Sequence, residues 1–172
     1  MSKGGRADLY LGLAILSLVI LVQGTLLSRV RIIGVGANLL LVTVVCWSLT
    51  RNVQEGLVWA FAGGLGIDLV SGLPLGTSSL ALMPTCFLAG IGRSSIYAQN
   101  IFWPVLLVIL ATPLHGWLIL LTQQLRAVPV DWVGSTVRII LPELVLNIVI
   151  TLPVYPGLRW LAGRIGVPVM DV

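Results

Sequence analysis

Apolar residues run along this chain in long unbroken stretches, with polar ones mostly at single positions between them. The segments from Asp8 to Arg29, Arg31 to Arg51 and Arg93 to Arg126 carry no charge between their ends. Each is long enough for the roughly 20 residues a helix needs to cross hydrocarbon. Their apolar character is continuous rather than alternating, which predicts helices and not lipid-facing barrel strands. The pattern predicts six spans, at Leu9 to Leu27, Ile33 to Leu49, Gly56 to Val70, Thr77 to Ile91, Ile101 to Leu121 and Arg138 to Tyr155. The largest gaps are Gly92 to Asn100 and Thr122 to Val137, and the second contains PVDWVGS, which suits a short interfacial turn or helix.

The stretch GGLGIDLVSGLPLGTSSL, Gly63 to Leu80, interrupts this regularity with five glycines, a proline and an aspartate. From Gly56 to Gly92 the only charge is Asp68, and the GLPLG turn divides the run into two short spans. If the third span is helical throughout, Gly64, Asp68 and Gly72 fall at i, i+4 and i+8 on one side, where small residues let another backbone come close. Pro74 stops the helix, Gly76 permits a tight reversal, and Thr77 or Ser78 is expected to cap the fourth span. An ionised Asp68 facing lipid costs at least a few kcal/mol, so it must face protein, water or the interface. The plainest role is accepting hydrogen bonds from the turn that follows it; pairing with Arg138 or linking to a partner protein are the alternatives.

Composition strengthens the membrane reading. Of 172 residues 58% are hydrophobic and 9% charged, with a mean hydropathy of +1.06, far from the balance of a soluble domain. Neither an internal repeat nor a low-complexity tract interrupts residues 1–172, which are expected to form one helical domain. Basic residues exceed acidic ones by four but stand singly at segment ends, which favours membrane anchoring over nucleic-acid binding. Lys3 and Arg6 precede an apolar run too long for a signal peptide, so a retained first span is expected. With the N-terminus inside, Lys3, Arg6, Arg51, Arg93, Arg159 and Arg164 fall on the cytoplasmic side and Arg29, Arg31, Arg126 and Arg138 outside. Trp47, Trp59, Trp103 and Trp160 are expected near one interface, Trp132 near the other, and Trp117 deeper. Cys46 and Cys86 lie within apolar spans and are expected to be free.

The remaining polar residues are few. Glu143, Asn147 and Thr151 follow one another at four-residue spacing in the sixth span, with Tyr155 continuing the line, and should bond across helices. Pro142 and Pro153 are expected to bend that helix, and Pro113 the fifth. His115 is the chain's only histidine, which argues against a metal site and for a core imidazole, although it, Asp68 and Glu143 are placed to converge in the outer leaflet. No nucleophile elbow, phosphate loop or catalytic carboxylate pair is present, so neither enzymatic chemistry nor a cofactor is expected.

The block ANLLLVTVVCWSLTRNVQEGLVWAFAGGLGIDLVSGLPLGTSSLALMPTCFLAG resembles the centre of the MreD family of rod shape-determining membrane proteins, with Gly64, Asp68, Gly72 and Gly76 matching its G-x-x-x-D-x-x-x-G-x-x-x-G pattern. RIILPELVLNIVITLPVYPGLRWL resembles the family's last span. The resemblance implies an all-α integral membrane protein, a compact bundle of about six transmembrane helices similar to the substrate-binding subunits of energy-coupling-factor transporters. It also implies a non-enzymatic scaffold of the cell-wall elongation machinery in the bacterial inner membrane. Its partners would be MreC, the RodA glycosyltransferase and a class-B penicillin-binding protein, directly or through MreC, and MreB filaments. The alternative function is a vitamin-binding transporter subunit, against which the first span, LGLAILSLVILVQGTLL, lacks a repeated Ala-x-x-x-Ala. Under the scaffold reading the candidate packing or partner-binding residues are Gly64, Asp68, Gly72, Pro74, Gly76, Arg138, Glu143 and Asn147, with the glycine-flattened face docking a partner's helix.

Overall fold

The computed structural model describes residues 3–27, 34–91 and 101–164. They are almost entirely helical: α1 (Lys3–Val22) runs into a π-helical turn (Gln23–Leu27), followed by α2 (Leu39–Thr50), α3 (Val53–Ser71), α4 (Thr77–Ile91) and α5 (Phe102–Leu125). A one-turn α6 (Trp132–Ser135) then passes through a second π-helical segment (Thr136–Ile140) into α7 (Leu141–Arg164). Val53–Ser71, Phe102–Leu125 and Trp132–Gly163 are long and apolar enough to cross a membrane; Ala14–Thr25, Leu39–Thr50 and Thr77–Gly90 are shorter apolar helices. The Gly92 to Asn100 gap and the outward Arg29 and Arg31 and inward Arg93 lie outside the described residues.

The second helix departs from the sequence expectation. It starts at Leu39 rather than Ile33, because Asn38 acts as its N-cap and accepts the Leu41 N–H at 3.0 Å. Its 12 residues extend about 18 Å, well short of a bilayer's hydrocarbon thickness of about 30 Å. Shortness is tolerable because α2 is the centre of the bundle: every residue from Leu40 to Leu49 is buried, and α3, α4, α5 and α7 pack around it. A helix apolar on all sides and enclosed by others is a core element, not a lipid-facing one.

Glycine sets how closely the remaining helices approach. A Cβ on Gly64 would lie 2.5 Å from both the Cα and the N of Ser79, so α3 and α4 touch backbone to backbone there. Gly63 receives Leu40 and Leu16, and Gly66 receives Ile20, which seats α1 and α2 against other sides of α3. Large apolar side chains instead point outward, among them Val58, Phe61 and Leu69 on α3, Leu80 and Phe87 on α4, and Val145 on α7. An apolar exterior of this kind suits hydrocarbon as the surrounding medium.

Helix boundaries also differ from expectation at the end of the chain. Asp131 caps the PVDWVGS segment by accepting the Gly134 N–H at 2.9 Å, and the helix that starts there continues to Arg164. Before Pro142 the Leu141 N–H bonds the Thr136 carbonyl, five residues back. This wider turn lies where the proline ring would otherwise press on the carbonyl four residues before it. Pro84, Pro113, Pro153 and Pro156 lie inside α4, α5 and α7.

Two of the tryptophans expected at an interface are core residues. Trp47 and Trp59 stack with ring centroids 4.2 Å apart and are only 2% and 7% exposed. The Arg51 guanidinium lies 5.5 Å from the Trp47 ring centroid and pairs with Glu55 at 2.9 Å, one turn along. Trp160 and Trp132 are exposed, and Trp132 donates to Gln124 at 2.9 Å.

Candidate functional site

Described residues beside three connections border one space at one end of the bundle: Gln23 and Asn38 between α1 and α2, Ser71 and Leu73 at the α3–α4 re-entry turn, and Gln123 and Ser135 around the link from α5 to α6. The polar residues singled out in the sequence gather beneath them. Asp68 is fully buried in the last turns of α3. Its carboxylate accepts the backbone N–H of Gly76 at 2.8 Å and that of Ser78 at 3.1 and 3.2 Å. It thereby caps α4 from a neighbouring helix, where the exposed amides and the helix dipole both favour an anion. This corrects the expected capping by Thr77 or Ser78: the Thr77 hydroxyl donates to the Pro74 carbonyl at 2.8 Å and is not the acceptor.

The turn geometry follows from its glycines. Gly72, at φ 69°, ends α3 in the left-handed region, and Gly76, at φ 93°, turns the chain into α4. Gly72 therefore does not continue the helical face of Gly64 and Asp68, and it packs against nothing. Gly64 does lie on a packing face, but α4 of the same chain occupies it, so this face is not open to a partner helix. The suggested Asp68–Arg138 pair is absent as well: Arg138 is exposed on the π-helical segment before α7.

The stripe on α7 turns inward. Asn147 is fully buried, accepts the Asn38 N–H at 2.7 Å and donates to Thr112 at 3.1 Å, tying α7 to the start of α2 and the middle of α5. Thr151 is buried and donates back to the Asn147 carbonyl at 2.6 Å. Glu143, half-buried one turn earlier, reaches the side chains of Asn38 and Asn147.

Of these groups, Glu143 and its neighbour Asn38 border a cavity of about 290 Å³. Its polar lining comes from Gln23, Asn38, Ser71, Ser78, His115, Gln123, Ser135 and Glu143. Leu40, Leu82, Leu120 and Ile140 supply much of the apolar wall. Asp68 stands just behind this lining, through Ser78, near enough to His115 to interact with it electrostatically. His115, Asp68 and Glu143 are thus brought to one site, while Gly64 and Arg138 are not among its lining residues.

Sequence reading missed Gln23 and Asn38. Gln23 bridges the α1–α2 connection, donating to the Ala37 carbonyl at 3.2 Å and accepting the Leu39 N–H at 2.8 Å. The available signal was an Asn directly before the apolar run LLLV, the mark of a helix start within a predicted span. Among the described residues no cluster of three or more His, Cys, Asp or Glu is arranged to hold a metal.

No match was found among curated proteins or among solved structures. The family model described as rod shape-determining protein MreD matches residues 7–164, nearly the whole chain. An all-helical bundle with three membrane-length helices and that match together place the chain in the MreD family of rod shape-determining membrane proteins.

Proposed function

We propose that this protein is a non-catalytic scaffold subunit of the bacterial cell-wall elongation machinery, binding MreC and through it linking the RodA glycosyltransferase, a class-B penicillin-binding protein and MreB filaments. The family match over residues 7–164 carries the reading. The internal chemistry agrees with it: Asp68 and Asn147 are engaged in holding helices together, and the glycine contacts fix a compact bundle. A partner helix would meet the outer apolar surface, such as Val58, Phe61 and Phe87, rather than the closed Gly64 face. In the proposed orientation both termini are cytoplasmic in the inner membrane and the re-entry turn faces the periplasm, consistent with six basic residues inside against four outside.

Affinity purification of the tagged protein from native membranes in mild detergent, with mass spectrometry of what co-purifies, tests this reading. MreC, with or without RodA and the penicillin-binding protein, is the expected recovery. Recovery of paired ATPases with a long coupling protein, and no MreC, would overturn it.

A further inference from the structure

The cavity at the re-entry end has features that helix packing alone does not require. Its 290 Å³ exceeds the roughly 150 Å³ of an engineered cavity that holds benzene and lies near the lower end of ordinary ligand pockets. His115 lines it, is only 8% exposed, and makes no hydrogen bond with the described residues. Its ring nitrogens are not sealed from the cavity, so whatever fills that space, water or a ligand, can bond to them.

The lining also has a definite electrical sense. Glu143 contributes a carboxyl group, Gln23 and Gln123 contribute amides, and among the described residues no lysine or arginine lines the wall. Asp68 sits immediately behind it, and among the described residues its only hydrogen-bond donors are backbone amides. Among the described residues an anion would therefore meet carboxyl groups with no compensating cation, whereas a cation would find acceptors in Glu143, Gln123 and His115. Both π-helical segments border the space, through Gln23 on one and Ile139 and Ile140 on the other, an irregularity common at functional sites.

We propose that this cavity is a binding site for a small organic ammonium compound, its nitrogen held between Glu143 and His115 and its apolar body against Leu82, Leu120 and Ile140. The proposal is independent of the scaffold reading: either can fail alone.

Tryptamine is a suitable probe, with tryptophol as its neutral counterpart and indole-3-acetate as its anionic one. Calorimetric titration of the full-length protein in dodecyl maltoside near neutral pH should show saturable tryptamine binding. Tryptophol should bind at least about tenfold more weakly, the scale of one charge-assisted hydrogen bond, and indole-3-acetate should not bind. Glu143→Gln should weaken tryptamine by a similar factor while the melting temperature of the empty protein is retained. Should that variant fail to fold, Ser71→Trp, which blocks the cavity from an exposed lining position, serves instead and should abolish binding. Absence of saturable tryptamine binding, equal affinity for the three probes, or undiminished affinity in the folded variant would each overturn the site.

Discussion

Adding a single methyl group at Gly64 tests how α3 and α4 are held. The new Cβ would lie 2.5 Å from the Ser79 Cα and N, and these are backbone atoms that no rotamer change can move. Restoring ordinary contact requires the helices to part by about 1 Å, and a gap of that size elsewhere along the interface forfeits roughly a quarter to a half of each dispersion contact. Overpacking of this kind costs about 1–3 kcal/mol, against which alanine's better helix propensity returns up to about 1 kcal/mol. Gly64→Ala should therefore destabilise the protein by about 1–2 kcal/mol. Gly157, exposed on α7 with nothing within 4 Å of an added Cβ, is the internal control. Gly157→Ala should be neutral or stabilising by up to about 1 kcal/mol. Equilibrium unfolding in mixed dodecyl maltoside and sodium dodecyl sulfate micelles, followed by tryptophan fluorescence, measures both; the buried Trp47–Trp59 stack provides the signal. Equal stability of the two variants, or a Gly64→Ala protein at least as stable as the parent, would refute backbone contact as the basis of this helix pair.

Three further outcomes follow from the same geometry. Asp68→Ala removes the acceptor for the Gly76 and Ser78 amides, and should cost about 2–4 kcal/mol in the same assay, with Asp68→Asn less severe; full stability of the alanine variant would show that water replaces the carboxylate. Asn147→Leu leaves the buried Asn38 N–H and the Thr112 hydroxyl without their side-chain partner, predicting a loss of about 2–3 kcal/mol, and an unchanged unfolding midpoint would contradict the role of this tie. Cys46 and Cys86 are free and fully buried, so a membrane-permeant maleimide should label neither until the protein is denatured, and rapid labelling of the native protein would contradict the packing around α2.

Much of the architecture was legible because membrane helices announce themselves by length and apolarity. The α3–α4 turn could be read almost residue by residue: Pro74 and two glycines in a short apolar stretch permit few backbone paths. The same locality made the bonding of Asp68 to the turn readable, since donor and acceptor lie 8 to 10 residues apart. Errors arose where the decisive partner was distant. Trp47 and Trp59 have the span-end positions of interfacial anchors, yet they stack on each other between α2 and α3. The start of α2 was misplaced because apolar residues flank Asn38, and hydropathy does not distinguish a capped core helix from a longer span.

The sequence by itself determined that the chain is helical, that it belongs in a membrane, where the re-entry turn falls, and which few polar groups must find partners inside. Those properties depend on apolar run length and local backbone restriction, which nearby residues set. Only the tertiary structure decided that the Gly64 face is closed by the protein's own α4, that Asn147 ties α2 to α5, and that His115 and Glu143 border one cavity. These depend on the rotation and depth of helices relative to one another, set jointly by side-chain packing between segments as much as 109 residues apart in the chain.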